Sequence, residues 1–146
     1  MIAETVRNFS EERTAIELRF ETFFDSFIVP VQYGNVSILK KGYESIPTPY
    51  QGSAFVRLDI VGGFSQQQEI SRLITTINGL ISINVFTKQD IGTTTAKEIV
   101  DKIFPIFNAQ VFNGITTGAS SVRVLPPNNG WYNVNITTPY RWYYCN

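Results

Sequence analysis

Apolar and polar positions alternate most regularly near the end of the chain. Asn128-Asn129-Gly130 breaks the backbone, and Trp131 to Thr138 then alternate until Pro139, where the strand is expected to stop. Tyr132, Val134 and Ile136 fall on one face, and Trp131, Asn133, Asn135 and Thr137 on the other, as in a strand with one dry and one polar side. Ala54 to Val61 reads the same way, with Ala54, Val56, Leu58 and Ile60 inward and Arg57 and Asp59 outward, until Gly62-Gly63 and the following glutamines break it. A further sheet segment runs from Ile70 to Thr87. Asn78-Gly79 at its middle predicts a hairpin, since both residues tolerate the positive φ of a type I′ turn, and Ile81, Ile83 and Val85 share a face of its second arm. Ser121 to Leu125 makes another strand, and Pro126 to Gly130 the turn before the last one.

Two stretches switch to helical spacing. Ser10 is placed to cap a helix in which Ile16, Phe20, Phe23, Phe24 and Phe27 form the apolar stripe, while Glu11, Glu12, Glu17, Glu21 and Asp25 lie mostly off it as solvated charge. Pro30 closes that region and Val31-Gln32-Tyr33 reads as a short strand. Thr95 with Glu98 three residues on is a capping box, opening a helix that carries Ala96, Ile99, Val100, Ile103 and Phe107 on one side. Pro105 predicts a kink, or an end by Phe104. Residues 108–118 read as loop. The order of elements predicts an α+β fold, a mainly antiparallel sheet packed against two helices in a single compact domain. Two features fall outside it: a Gly-, Pro-, Ser- and Tyr-rich connection over 34–53, read as a long loop or arm, and an aromatic C-terminal extension over 139–146.

Composition changes this picture mainly by exclusion. At 146 residues the chain has the length of one domain, which typically buries roughly 68–70% of its unfolded surface. Lys+Arg and Asp+Glu each number 12, so the formal net charge is zero. Without a basic stripe, sequence-specific nucleic-acid binding is not expected, and balanced charge leaves little repulsion between copies. The single cysteine, Cys145, cannot form an internal disulfide. The first residues lack a basic start followed by an apolar run, and no stretch approaches the ~20 apolar residues of a membrane span. A soluble protein of a cytoplasm-like compartment is the expectation.

The chain contains no histidine, which removes Ser-His-Asp and Cys-His pairs, HExxH helices and the commonest transition-metal ligand. Gly62-Gly63 fits neither a phosphate-cradling loop nor a dinucleotide fingerprint. No catalytic residue, cofactor or metal is expected. Arg57 and Asp59 point the same way, as a cross-strand ion pair or a subunit contact. Arg141, Trp142 and Tyr143 either fold back on the core or dock on a neighbour. With the long loops, the candidate interface residues are Tyr43, Tyr50, Arg57, Phe64, Arg72, Arg141, Trp142 and Tyr143, in contact segments over 34–53, 62–69 and 141–146.

The order of these features resembles the phage tail terminator-like family. The matching residues are Glu12-Arg13-x-Ala15-Ile16 with Arg19-Phe20, then Phe55-Val56-Arg57, Gly79-Leu80 leading into Asn84-Val85-Phe86, Gly92-Thr93, and Gly130-Trp131-Tyr132, which together span nearly the whole chain. The long loop before Ala54, Pro105 and the aromatic extension depart from the pattern. The resemblance implies a non-catalytic virion protein, assembled in the host cytoplasm. It would form a homo-hexameric ring on the last disc of tail tube protein, stop tube growth and present a surface to the head-side connector, with DNA passing through the ring. A head-side neck or connector protein is the alternative, and a small-ligand-binding α+β domain a more distant one.

Overall fold

The strands form one seven-stranded sheet whose order places the end of the chain at its centre. The computed structural model describes residues 5–24, 29–33, 54–67, 74–88, 93–128 and 130–145. In chain order the elements are α1 (Phe9–Phe23), β1 (Val31–Tyr33), β2 (Ala54–Gln67), β3 (Ile74–Lys88), α2 (Thr93–Phe107), β4 (Val111–Phe112), β5 (Ile115–Thr117), β6 (Ser121–Asn128) and β7 (Trp131–Cys145). The sheet runs β1-β2-β3-β7-β5-β4, and β6 also pairs with β7. Among the described strand pairs only β1–β2 is parallel. This is the expected α+β architecture.

Both helices lie on one face. Against them point Val56, Leu58, Ile81, Ile83, Val85, Val134 and Ile136 from the strands, and Ile16, Phe20, Ala96, Ile103 and Phe107 from the helices, all buried. Phe20 stacks on Phe24 and Phe107, at 5.0 and 6.3 Å between ring centres. A one-residue slip of any strand would turn this set to the outside, so burial of one face specifies the register.

Several elements run further than local signals predict, each for a visible reason. Asn78-Gly79 is not a turn: β3 passes straight through, with Gly79 paired to Gly62 on one side and Tyr140 on the other. The glycine is there for close approach, since a Cβ at Gly79 would lie 2.5 Å from the Tyr140 hydroxyl oxygen. The same dipeptide does make a turn at Asn113-Gly114, where φ values of 49° and 79° join β4 to β5 within the segment expected to be loop. Gly62 does not end β2, which absorbs a register shift between Gly62 and Ser65 as a bulge.

Pro139 does not stop β7 either. Its carbonyl accepts from the Gly118 N–H at 2.9 Å, on the edge away from β3. Its nitrogen faces that same edge, between the end of β6 pairing and the start of β5 pairing, so the β3 ladder loses no bond. Residues 139–145 are therefore the second half of a central strand, not an extension. Trp142, proposed as an interface residue, is 1% exposed in the core.

The helices also depart from their local signals. Asn8, not Ser10, caps α1, its side chain accepting from the Glu11 N–H at 2.9 Å. Phe23 stands exposed beneath the Arg19 guanidinium rather than in the stripe; Phe27 lies outside the described residues. Glu12 and Glu17 are buried, not solvated. α2 begins at Thr93, so Thr95 is inside the helix, and it continues through Pro105 to Phe107. Pro105 is on the exposed side, and the bond it forgoes would have gone to Asp101, also exposed. β6 likewise continues through Pro126-Pro127 to Asn128.

Candidate interaction face

Among the described residues the helices cover one face of the sheet and no element covers the other, and it is this open face and the β6 edge that hold the exposed chemistry. Alternation and register lay the open face out in rows across the strands. Phe55, Phe86, Asn133 and Leu125 form one row. Arg57, Asn84, Asn135 and Arg123 form the next, and Asp59, Ser82, Thr137 and Ser121 the one after; Val61, Leu80 and Pro139 follow. Phe55 stacks on Phe86 at 4.6 Å with Trp131 edge-on at 5.2 Å.

The central rows are ordered by side-chain hydrogen bonds. Asn135 Nδ2 donates to Ser82 Oγ and Asn84 Oδ1, both at 3.0 Å, and Thr137 Oγ1 donates to Asn135 Oδ1 at 2.6 Å. Arg57 Nε donates to Asp59 Oδ2 at 3.0 Å along its own strand, so the expected pair exists but is not cross-strand. Such an exposed pair adds at most about 1 kcal/mol. Arg123, Arg141 and Lys88 have no ion-pair partner among the described residues. A shallow cleft beside Arg141, lined also by Asn78, Thr116 and Pro139, lies where β5 meets β7.

β6 is the other exposed element. It pairs with β7 along one edge, and its other edge has no strand among the described residues. Val122 and Val124 are the direct partners of Ile136 and Val134, yet they are 39% and 52% exposed where those are 1% and 0%. Neither helix reaches far enough to cover them.

Beneath the covered face, Tyr140 donates its hydroxyl to the buried Glu12 carboxylate. Burial first, and then that hydrogen bond, push the Tyr140 phenol far above its ordinary pKa. Arg19 donates to the Ile106 carbonyl at 2.8 Å and lies over Phe23 and Phe112, which ties α1 to the end of α2 and to the β4–β5 hairpin. These groups brace the packing of the helices against the sheet.

Of the residues singled out by sequence, Arg57, Arg141 and Tyr143 are exposed on the open face, Trp142 is buried, and the backbone of Phe64 lies in β2. Tyr43, Tyr50, Arg72 and the 34–53 connection lie outside the described residues. Sequence reasoning missed Asn84, Asn135, Arg123, Val122 and Val124. Alternation placed Asn135 on a polar face, but only the register reveals that Arg57, Asn84, Asn135 and Arg123 share a row. Among the described residues no cluster of three or more potential metal ligands occurs, and no helix is long and apolar enough to cross a membrane.

The fold and this face define an α+β protein with one helix-covered and one open sheet surface. No family model and no curated protein matches the chain. Thirteen chains of solved structures are similar to it; one shares its fold with a TM-score of 0.57 and 14% identity, over 89% of this chain and 94% of that one.

Proposed function

We propose that the chain is a structural virion protein that forms a ring, of six copies, at the head-proximal end of a phage tail tube, where it ends tube polymerisation and provides the surface for head attachment. The observation that carries the reading is β6. Among the described residues no strand pairs its outer edge, and an edge left so, with two uncovered valines, is an aggregation hazard unless a partner covers it. A closed ring covers such an edge in every copy at once. Strand addition along Ser121 to Leu125 supplies main-chain hydrogen bonds, and Val122 and Val124 supply the apolar contact. Pro126 and Pro127 lack the N–H groups to extend that pairing, which limits it to the first part of the strand. Zero net charge lets copies associate without long-range repulsion. The order of motifs along the chain supports a tail terminator in particular.

The mechanism is geometric. One side of the ring matches the last disc of tail tube protein, and the other, lacking the tube subunit's own contacts, admits no further subunit and receives the head-side connector. The test is to add the purified protein to growing tail tubes and measure tube length and end occupancy, with Val124→Lys as the comparison. The intact chain is expected to arrest growth and decorate one end, and the variant to stay folded and do neither. Tubes that grow unchanged in the presence of the intact chain would reject the proposal.

A further inference from the structure

We propose that the open face of the sheet docks carboxylate side chains of a partner protein, through the row Arg57, Asn84, Asn135 and Arg123. These residues are direct register partners on β2, β3, β7 and β6, so the row crosses three inter-strand gaps, about 14 Å. Its internal hydrogen bonds run in one direction. Thr137 donates to Asn135, and Asn135 donates to Ser82 and to the Asn84 carbonyl oxygen. The amide oxygens are consumed in this chain, and the Asn84 amide nitrogen has no partner among the described residues. What the row still offers outward are donors: the Asn84 amide nitrogen beside Arg57, whose Nε already holds Asp59, and the Arg123 guanidinium on the far side of Asn135. Donors in that arrangement select charged acceptors, and a guanidinium pairs with a carboxylate through two parallel bonds.

The charge of the face agrees. Arg57, Lys88, Arg123 and Arg141 project from it against one described carboxylate, Asp59, which Arg57 already holds. The chain as a whole is neutral, so this excess is local to the face and complements an acidic surface.

A protein fits better than a nucleic acid. The donor row has apolar ground on both flanks: Phe55 and Phe86 two residues away on one side, with Trp131 beside them, and Val61, Leu80 and Pro139 four residues away on the other, beyond the polar row of Asp59, Ser82 and Thr137. A phosphate backbone is held by cations spread along its path. Unpaired bases need free ring faces to stack on, and here Phe55 and Phe86 stack on each other with Trp131 against them. Arginine beside aromatic side chains is the composition of a protein interface. The partner segment this selects carries carboxylates between apolar residues. The assignment stands whether or not copies of the chain close into a ring.

The experiment uses the full chain, isotopically labelled, titrated with a peptide in which glutamate alternates with valine and tyrosine, and separately with a DNA duplex of equal charge. The peptide is expected to shift the Arg123 Nε–H and Asn84 side-chain amide resonances. High salt should weaken its binding, as should the double variant Arg123→Gln, Asn84→Ala, by about tenfold. Arg123 is exposed and Asn84 half-buried with its carbonyl oxygen held by Asn135, and an unchanged backbone spectrum establishes that the variant is folded. Three results would each overturn the proposal: peptide binding that leaves the row unperturbed or is absent, DNA shifting the row at equal or higher affinity, or row resonances that move with protein concentration alone, which would assign the face to a second copy.

Discussion

Strands β6 and β7 lie side by side, carry the same alternation of branched apolar residues, and have opposite fates. Val134 and Ile136 are sealed beneath the helices, while their direct partners Val124 and Val122 stand open. The difference is not in the strands. It lies in how far α2, which packs on β7 and β3, extends across the sheet. Alternation states which residues share a face, and only the tertiary arrangement states whether that face is covered. Where cover ends, the same residue types cease to be core and become a surface for something else.

The comparison breaks most decisively at Trp142. Its side chain is in the core, so Trp142→Ala should cost about 3–5 kcal/mol of unfolding free energy in urea titrations. Tyr143→Ala, one residue on and facing out, should stay within about 0.5 kcal/mol. Equal effects would mean that the second half of β7 does not pack as described.

Next is the cross-strand pair itself. Ile136→Ala should cost about 2–5 kcal/mol, whereas Val122→Ala, its immediate neighbour, should fall within about 0.5 kcal/mol in the monomer yet weaken assembly. Comparable losses would show that β6 is covered within one copy.

Gly79→Ala tests the close approach that lets β3 and β7 pair along their whole length. Crowding by the Tyr140 ring should cost about 1–3 kcal/mol, and much less in a Tyr140→Leu background, because the two positions are coupled. A full-sized effect in both backgrounds would place the cost in the strand itself.

Much of this was legible in the chain. The inward sets Ala54, Val56, Leu58 and Ala96, Ile99, Val100, Ile103, Phe107 are buried as their spacing predicts, and Ile60 packs half-buried against the same core, because periodicity reports directly on facing. Element ends were not legible where a local signal was overridden from afar. Asn78-Gly79 has the chemistry of a turn and Pro139 that of a stop. Strands on both sides hold the first extended, and the second aims its missing donor where no partner is required. At Asn113-Gly114 no third strand intervenes, and the turn forms. The candidate face was least legible. Arg57, Asn84, Asn135 and Arg123 come from four strands, and no one-dimensional pattern announces that they line up. Glu12 has the spacing of a solvent-facing residue, and the partner that buries it, Tyr140, is 128 positions away.

The smallest expected effect on the fold belongs to the residue on which the proposed assembly rests most. Val124→Lys should leave the monomer within about 0.5 kcal/mol of the original, since the valine is already half exposed. Native mass spectrometry of the intact chain and of Val124→Lys, each alone and on tail tubes, is therefore the most direct measurement. The account predicts closed sixfold rings of the intact chain, in solution or at tube ends, and folded monomers of the variant under both conditions. An intact chain that remains monomeric and never occupies a tube end, or a variant that forms the same rings, would contradict it.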